Sequence, residues 1–151
     1  MTNQGKAFTV VELLLIVLFL GIFAAIAVPR LQFATLHGKQ ADTVARKIVT
    51  DLRRTRTLAI SYAANNTAGF RLQMVGSPPY SGYQIVDANS GSVVDSQTID
   101  SQISCDGSNQ FNFGPLGNLT GSSGQLTVAA GGKTFIVTVI SATGAVICQE
   151  N

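Results

Sequence analysis

FTVVELLLIVLFLGIFAAIAVP, residues Phe8 to Pro29, is the stretch on which the reading of this chain turns. From Leu13 to Val28 it has no charged or polar side chain and a single glycine, Gly21. As an α-helix, Phe8 to Val28 would rise about 30 Å, enough to cross the hydrocarbon core of a bilayer. It is apolar on every side rather than along one stripe, which suits lipid or a bundle of like helices. Glu12 is the exception. A carboxylate near the head of such a span costs on the order of a few kcal/mol unless a partner offsets it. That makes Glu12 a functional candidate.

On the N-terminal side, Met1 to Ala7 (MTNQGKA) is a short polar leader with one lysine, Lys6. An ordinary secretory signal would also start with a basic residue and an apolar run, and Ala25-Ile26-Ala27 has the small residues of its cleavage site. The run is long for a signal, however, and a signal has no use for Glu12. A plain single-span anchor leaves Glu12 unexplained as well.

On the C-terminal side of Pro29 the pattern becomes amphipathic. Leu31, Ala34, Ala41, Val44, Ala45, Ile48, Leu52, Thr55, Leu58, Ala59 and Tyr62 recur at spacings of three and four. Lys39, Asp42, Arg46, Lys47, Asp51, Arg53, Arg54 and Arg56 occupy the other side. The pattern predicts a helix from about Phe8 to Ala64, kinked at Pro29 and loosened at Gly38, ending at Asn65-Asn66. Arg53, Arg54 and Arg56 are the candidates for a weak DNA contact. A solvated face paired with Asp42 and Asp51 is the plainer reading, since no aromatic residue interleaves with these cations.

Beyond the helix the sequence reads as strands separated by turns. The candidates are Thr67–Val75, Tyr83–Asp87, Ser92–Ile99, Gln110–Phe113, Gln125–Ala129, Lys133–Ser141 and Ala145–Gln149. Phe135, Val137 and Val139 alternate with more polar neighbours and are expected to face the core. A long helix followed by antiparallel strands, without βαβ alternation, is an α+β architecture.

Charged residues are only 12% of the 151, and glycine and small polar residues abound, which suits an extracytoplasmic β-rich domain. A formal charge of +2 does not by itself call for an acidic partner. Cys105 and Cys148 are too few for a metal motif, and His37 is the sole histidine. In an extracytoplasmic domain the two cysteines are expected to pair, closing a loop worth roughly 4 kcal/mol; two buried thiols are the alternative. Asp87, Asp95, Asp100 and Asp106 are scattered in or beside loops and are expected to face solvent. Tyr80 and Tyr83 flank a Pro/Gly loop, as neighbour contacts or as core. No catalytic motif is present, so neither an enzyme nor a cofactor is expected.

The order of leader, FTVVEL and long apolar helix resembles the class III signal of type IV pilins and type II secretion pseudopilins. The resemblance implies cleavage by a prepilin peptidase between Ala7 and Phe8, N-methylation of Phe8, and Glu12 at the fifth mature position. Ala7 stands where the family usually has glycine. Pro29 falls where such helices often carry proline. In a filament, Glu12 would pair with the amine of a neighbouring subunit, each charge offsetting the other's burial. Three later stretches narrow the match to the GspH/FimT family. Arg56, Ala59 and Ile60 correspond to the family's helix end, Phe113, Pro115 and Gly117 to its Phe-rich strand and turn, and KTFIVTVISATGAVI to its closing strand pair.

This resemblance implies a pilin-like fold with a leader (1–7), an assembly helix in the inner membrane (8–28) and a periplasmic head (29–151). Its expected partners are other pilins or pseudopilins, the prepilin peptidase and the inner membrane. Its expected role is a minor subunit near the tip of a secretion pseudopilus or type IV pilus, helping to initiate assembly. A major pilin, a DNA-binding minor pilin for transformation and a periplasmic protein behind an ordinary signal are the alternatives. For the DNA-binding relatives the binding surface is a basic C-terminal region. Between Cys105 and Asn151 this chain has one lysine, Lys133, against Asp106 and Glu150.

Overall fold

The computed structural model describes residues 9–27 and 33–151. They form two helices and eight strands, divided between two compact units. The first unit holds α1 (Val10–Ala27). The second, Ala34 to Asn151, holds nearly all of α2 (Phe33–Ser61) and every strand. The kink expected at Pro29 lies outside the described residues.

α2 is held by its buried face. Ala41, Ala45, Ile48, Leu52, Thr55 and Ala59 are fully buried, and Val44 and Leu58 pack beside them. This is the face that the three-and-four spacing predicted. Two residues depart from the expectation. Tyr62 is about half exposed, against the ring of Phe70, and Asp51, placed with the solvated side, is buried. The helix ends at Ser61, earlier than expected, and Tyr62–Asn66 continues as hydrogen-bonded turns. Asn66 then forms the corner, since its side chain accepts from Gly69 N–H and donates to Gly69 O and to Asp87.

The first sheet takes β1 (Phe70–Val75), β2 (Gly82–Asp87), β3 (Val93–Thr98) and β5 (Gln110–Phe113) in the order β3-β2-β1-β5. The second takes β4 (Ser104–Gly107), β6 (Gly124–Ala130), β7 (Lys133–Val139) and β8 (Val146–Glu150) in the order β4-β6-β7-β8. Every pairing is antiparallel. The seven predicted strands are all present, Gln110–Phe113 with the predicted bounds and the others with shifted ends, and β4 is the addition. Its four residues, Ser-Cys-Asp-Gly, lack the β-branched and aromatic side chains that betray a strand. Ala130 pairs with Lys133, so Gly131-Gly132 closes β6–β7 as a two-residue hairpin.

One core joins the helix to both sheets. Leu72, Phe111 and Phe113 come from the first, and Leu126, Val128, Phe135, Val137 and Val139 from the second. Phe135, Val137 and Val139 face inward as predicted. Tyr80 and Tyr83 are buried too and are core residues.

The expected Cys105–Cys148 disulfide is corrected by the topology, because both residues are free thiols. Cys105 is on β4 and Cys148 on β8, the opposite edges of the second sheet, with β6 and β7 between them. Three strand spacings amount to about 14 Å, whereas a disulfide needs Cα atoms within about 7 Å. Burial, with Asp106 adding to it, pushes the Cys105 thiol up to about 12. It behaves as a small apolar core residue.

Candidate assembly site

The site begins with α1. Thr9 precedes it as an N-cap: the Glu12 N–H lies 3.3 Å from Thr9 Oγ1 and 3.0 Å from Thr9 O. Thr-x-x-Glu is the capping-box pattern, and a carboxylate in the first turn also favours the positive end of the helix dipole. A carboxylate at Glu12 therefore suits the start of the helix by its type and position. Twelve large apolar side chains of α1, from Val10 at 81% to Leu15 at 45%, are exposed. Water does not tolerate such a surface, which calls for an apolar covering. Among the described residues no helix is long and apolar enough to cross a membrane. The 18 residues of α1 rise about 27 Å, short of a core of about 30 Å. Ala7, Phe8 and Pro29, expected to carry processing and a kink, lie outside the described residues.

The arginines of α2 point to three different places, because successive helical residues are turned by about 100°. Arg53 Nη2 donates to Val146 O on β8 at 3.3 Å. Arg54 forms an ion pair with Asp95 on β3. Arg56 Nε donates to Gly117 O at 2.9 Å. Nearby, Arg46 pairs with Asp42 at 2.8 Å and Lys47 reaches Asp51 at 3.3 Å. Each of these five cations has a partner: Arg53, Arg54 and Arg56 reach the head, whereas Arg46 and Lys47 pair within α2.

The tether at Arg56 gathers residues that are far apart in sequence. The turn Gly114–Gly117 closes with Gly117 N–H donating to Gly114 O at 2.8 Å, and it lies against the end of α2. A Cβ placed on Gly117 would fall 2.6 Å from Ile60 Cδ1. A Cβ on Gly144, in the β7–β8 turn, would fall 1.9 Å from Gly117 O and 3.1 Å from Arg56 Nε. Gly144 also has φ +64, which a side chain disfavours. Arg56, Ile60, Gly117 and Gly144 thus form one clasp, and the three stretches that suggested a GspH/FimT resemblance are its three parts.

A second tie was missed in the sequence. The Tyr83 hydroxyl donates to Asp51 Oδ2 at 2.7 Å, joining β2 to α2 inside the core. Burial, and then this hydrogen bond, raise the Tyr83 hydroxyl above its usual range, so it remains a donor. An aspartate between two cationic stretches reads as surface, and only its distance from Lys47, i to i+4, hinted at a pair. The scattered aspartates are structural as well. Asp87 is held below the usual carboxylate range by the Asn89 N–H that it accepts, and Asp95 by the hydrogen bond from Arg54. Asp100 caps a turn through Gln102 N–H, and Asp106 accepts from Ser104. His37 meets Gln40 on its own helix at 3.1 Å. Among the described residues no group of three or more His, Cys, Asp or Glu could hold a metal ion.

No protein-family model matches the sequence, and no curated protein matches it either. The solved structures include a match to the type IV minor pilin FimU of Pseudomonas aeruginosa, at a TM-score of 0.59 and 14% identity. The match covers 74% of this chain and 89% of that one. The fold is that of a pilin. At this identity the likeness concerns the fold alone, a helix packed on antiparallel sheets in an α+β arrangement. The pilin fold accounts for what α2 and the strands do for each other.

Proposed function

We propose that this chain is a minor pilin or pseudopilin subunit that works by assembly rather than by catalysis. The observation that carries the proposal is the contrast within one chain. α1 is apolar and exposed on every side, while the neighbouring unit is a pilin-fold head with its own core. In this reading the leader Met1–Ala7 is removed by a prepilin peptidase, Phe8 becomes the methylated N-terminus, and 8–28 holds the protein in the inner membrane. On entry into a filament the apolar helices bury one another. Glu12 then pairs with the amine of a neighbour, since either charge alone is costly in an apolar bundle. The match to a type IV minor pilin supports the minor-subunit reading, and the GspH/FimT resemblance implies a low-copy place near the tip of a type IV pilus or pseudopilus.

Intact mass and the N-terminal residue of protein recovered from membranes test this reading first. N-methyl-Phe8 is expected, and a start at Val28 would instead show ordinary signal cleavage and remove the assembly helix. Glu12→Gln is expected to insert normally and to fail to enter filaments. Normal incorporation of that variant would sink the pairing.

A further inference from the structure

Four strands form the edges of the two sheets, and three of them are blunted. On β4 the outward carbonyls of Cys105 and Gly107 are taken by the Tyr80 N–H at 2.8 Å and the Tyr80 hydroxyl at 2.9 Å. On β5 the outward Asn112 carbonyl accepts the Thr120 N–H at 2.7 Å. β3 has a register shift at its pairing with Ile85/Val86, and Asp95 occupies the Ser96 N–H at 2.8 Å while paired with Arg54. Bulges, charges and covering loops are the usual protections of an edge.

β8 is different. Ile140 N–H donates to Ala145 O and Asn151 N–H to Thr134 O. By antiparallel alternation, Ile147 and Gln149 bond to β7, while Val146, Cys148 and Glu150 turn their backbone groups outward. The side-chain bond from Arg53 to Val146 O fits this alternation. No described residue takes the Cys148 N–H or C=O. Beside this edge runs a groove of about 580 Å³ between α2 and β8, lined by Arg46, Val49, Thr50, Arg53, Val146 and Cys148. Its floor is apolar at Val49 and Val146. Its α2 wall carries two guanidinium groups, two helical turns apart. Among the described residues Arg53 has no carboxylate partner, and Arg46 shares one, Asp42.

We infer that the β8 edge and this groove are a docking site for an extended, acidic segment of another protein chain, which adds to the second sheet as a fifth strand. The outward groups of Cys148 supply main-chain hydrogen bonds, and alternate side chains of the incoming strand point at α2. Carboxylates at those positions meet Arg53 and Arg46; basic residues there are repelled. The inference goes beyond filament entry and does not depend on how the N-terminus is processed.

The test uses the full chain in detergent micelles and an acetylated nine-residue peptide alternating valine with glutamate. The same peptide with lysine in place of glutamate is the control. The acidic peptide is expected to bind at least tenfold more tightly, slowing hydrogen exchange at the amides of Cys148 and Glu150. Cys148→Pro removes an N–H that β7 does not use, and so should weaken binding at least tenfold with thermal unfolding little changed. Arg53→Glu, at an exposed position, should reverse the preference toward the lysine peptide, and it tests the site even if the proline variant misfolds. Equal binding of both peptides, exchange protection elsewhere, or an unchanged preference in Arg53→Glu would overturn the inference.

Discussion

α1 and α2 follow one another in the chain and are both helices, yet they handle apolar surface in opposite ways. α1 leaves its leucines, valines and phenylalanines uncovered on every side, whereas α2 buries one stripe against two sheets. α1 is far more apolar than α2 and is apolar on all sides, whereas the apolar residues of α2 fall along one stripe. A helix with a single apolar stripe can be satisfied by its own domain. One that is apolar all round needs surroundings that its own domain does not supply. Stability thus resides in α2 and the head, while the proposed function gives assembly to α1.

Removing apolar atoms from each helix in turn would break this comparison most directly. Leu52→Ala on α2 is expected to destabilise the head by about 2–5 kcal/mol, because the side chain is fully buried and leaves a cavity. Leu14→Ala on α1 should leave head unfolding unchanged within about 0.5 kcal/mol. Denaturant unfolding of both variants in detergent measures the pair, and an equal loss would erase the distinction.

The ties between α2 and the strands sharpen it further. Tyr83→Phe removes the shorter of the two hydrogen bonds to the buried Asp51 carboxylate, leaving only Lys47, and should cost about 1–3 kcal/mol. Gly144→Ala should cost more than about 1 kcal/mol, since its Cβ would enter the Gly117 carbonyl at a positive φ. Unchanged stability of Gly144→Ala would show that the clasp tolerates a Cβ at this position.

Acid titration carries the smallest expected effect. Asp87 and Asp95 are held below the ordinary carboxylate value in the folded chain. Their contribution is therefore complete above the unfolded value of about 4 and is lost as pH falls through the lowered folded values. Asp95→Asn should flatten that acid slope slightly and leave stability near pH 7 almost unaltered, because the Arg54–Asp95 pair is exposed. A steeper acid slope in the variant would contradict the assignment.

Much of this was legible in the residues. The apolar run, the buried face of α2, seven of eight strands and the inward set Phe135, Val137 and Val139 all follow from local periodicity, which records how each segment meets its nearest surroundings. β4 escaped because Ser104–Gly107 has no such period. The disulfide failed because composition and compartment say that two cysteines are able to pair, while only strand order says whether they meet. Asp51 was misplaced because its partner Tyr83 is 32 positions away.

The sequence by itself determined that one helix would be satisfied within the chain and another would not, since hydrophobic period is a local property. Only the tertiary structure decided which distant groups would touch. It carried Cys105 and Cys148 to opposite sheet edges, turned Arg53, Arg54 and Arg56 into separate tethers, and brought Arg56, Gly117 and Gly144 into one clasp. It also left β8 as a sheet edge with open backbone groups beside a groove. Those outcomes depend on strand order and register, which arise from the joint packing of helix and sheets and are written in no single segment.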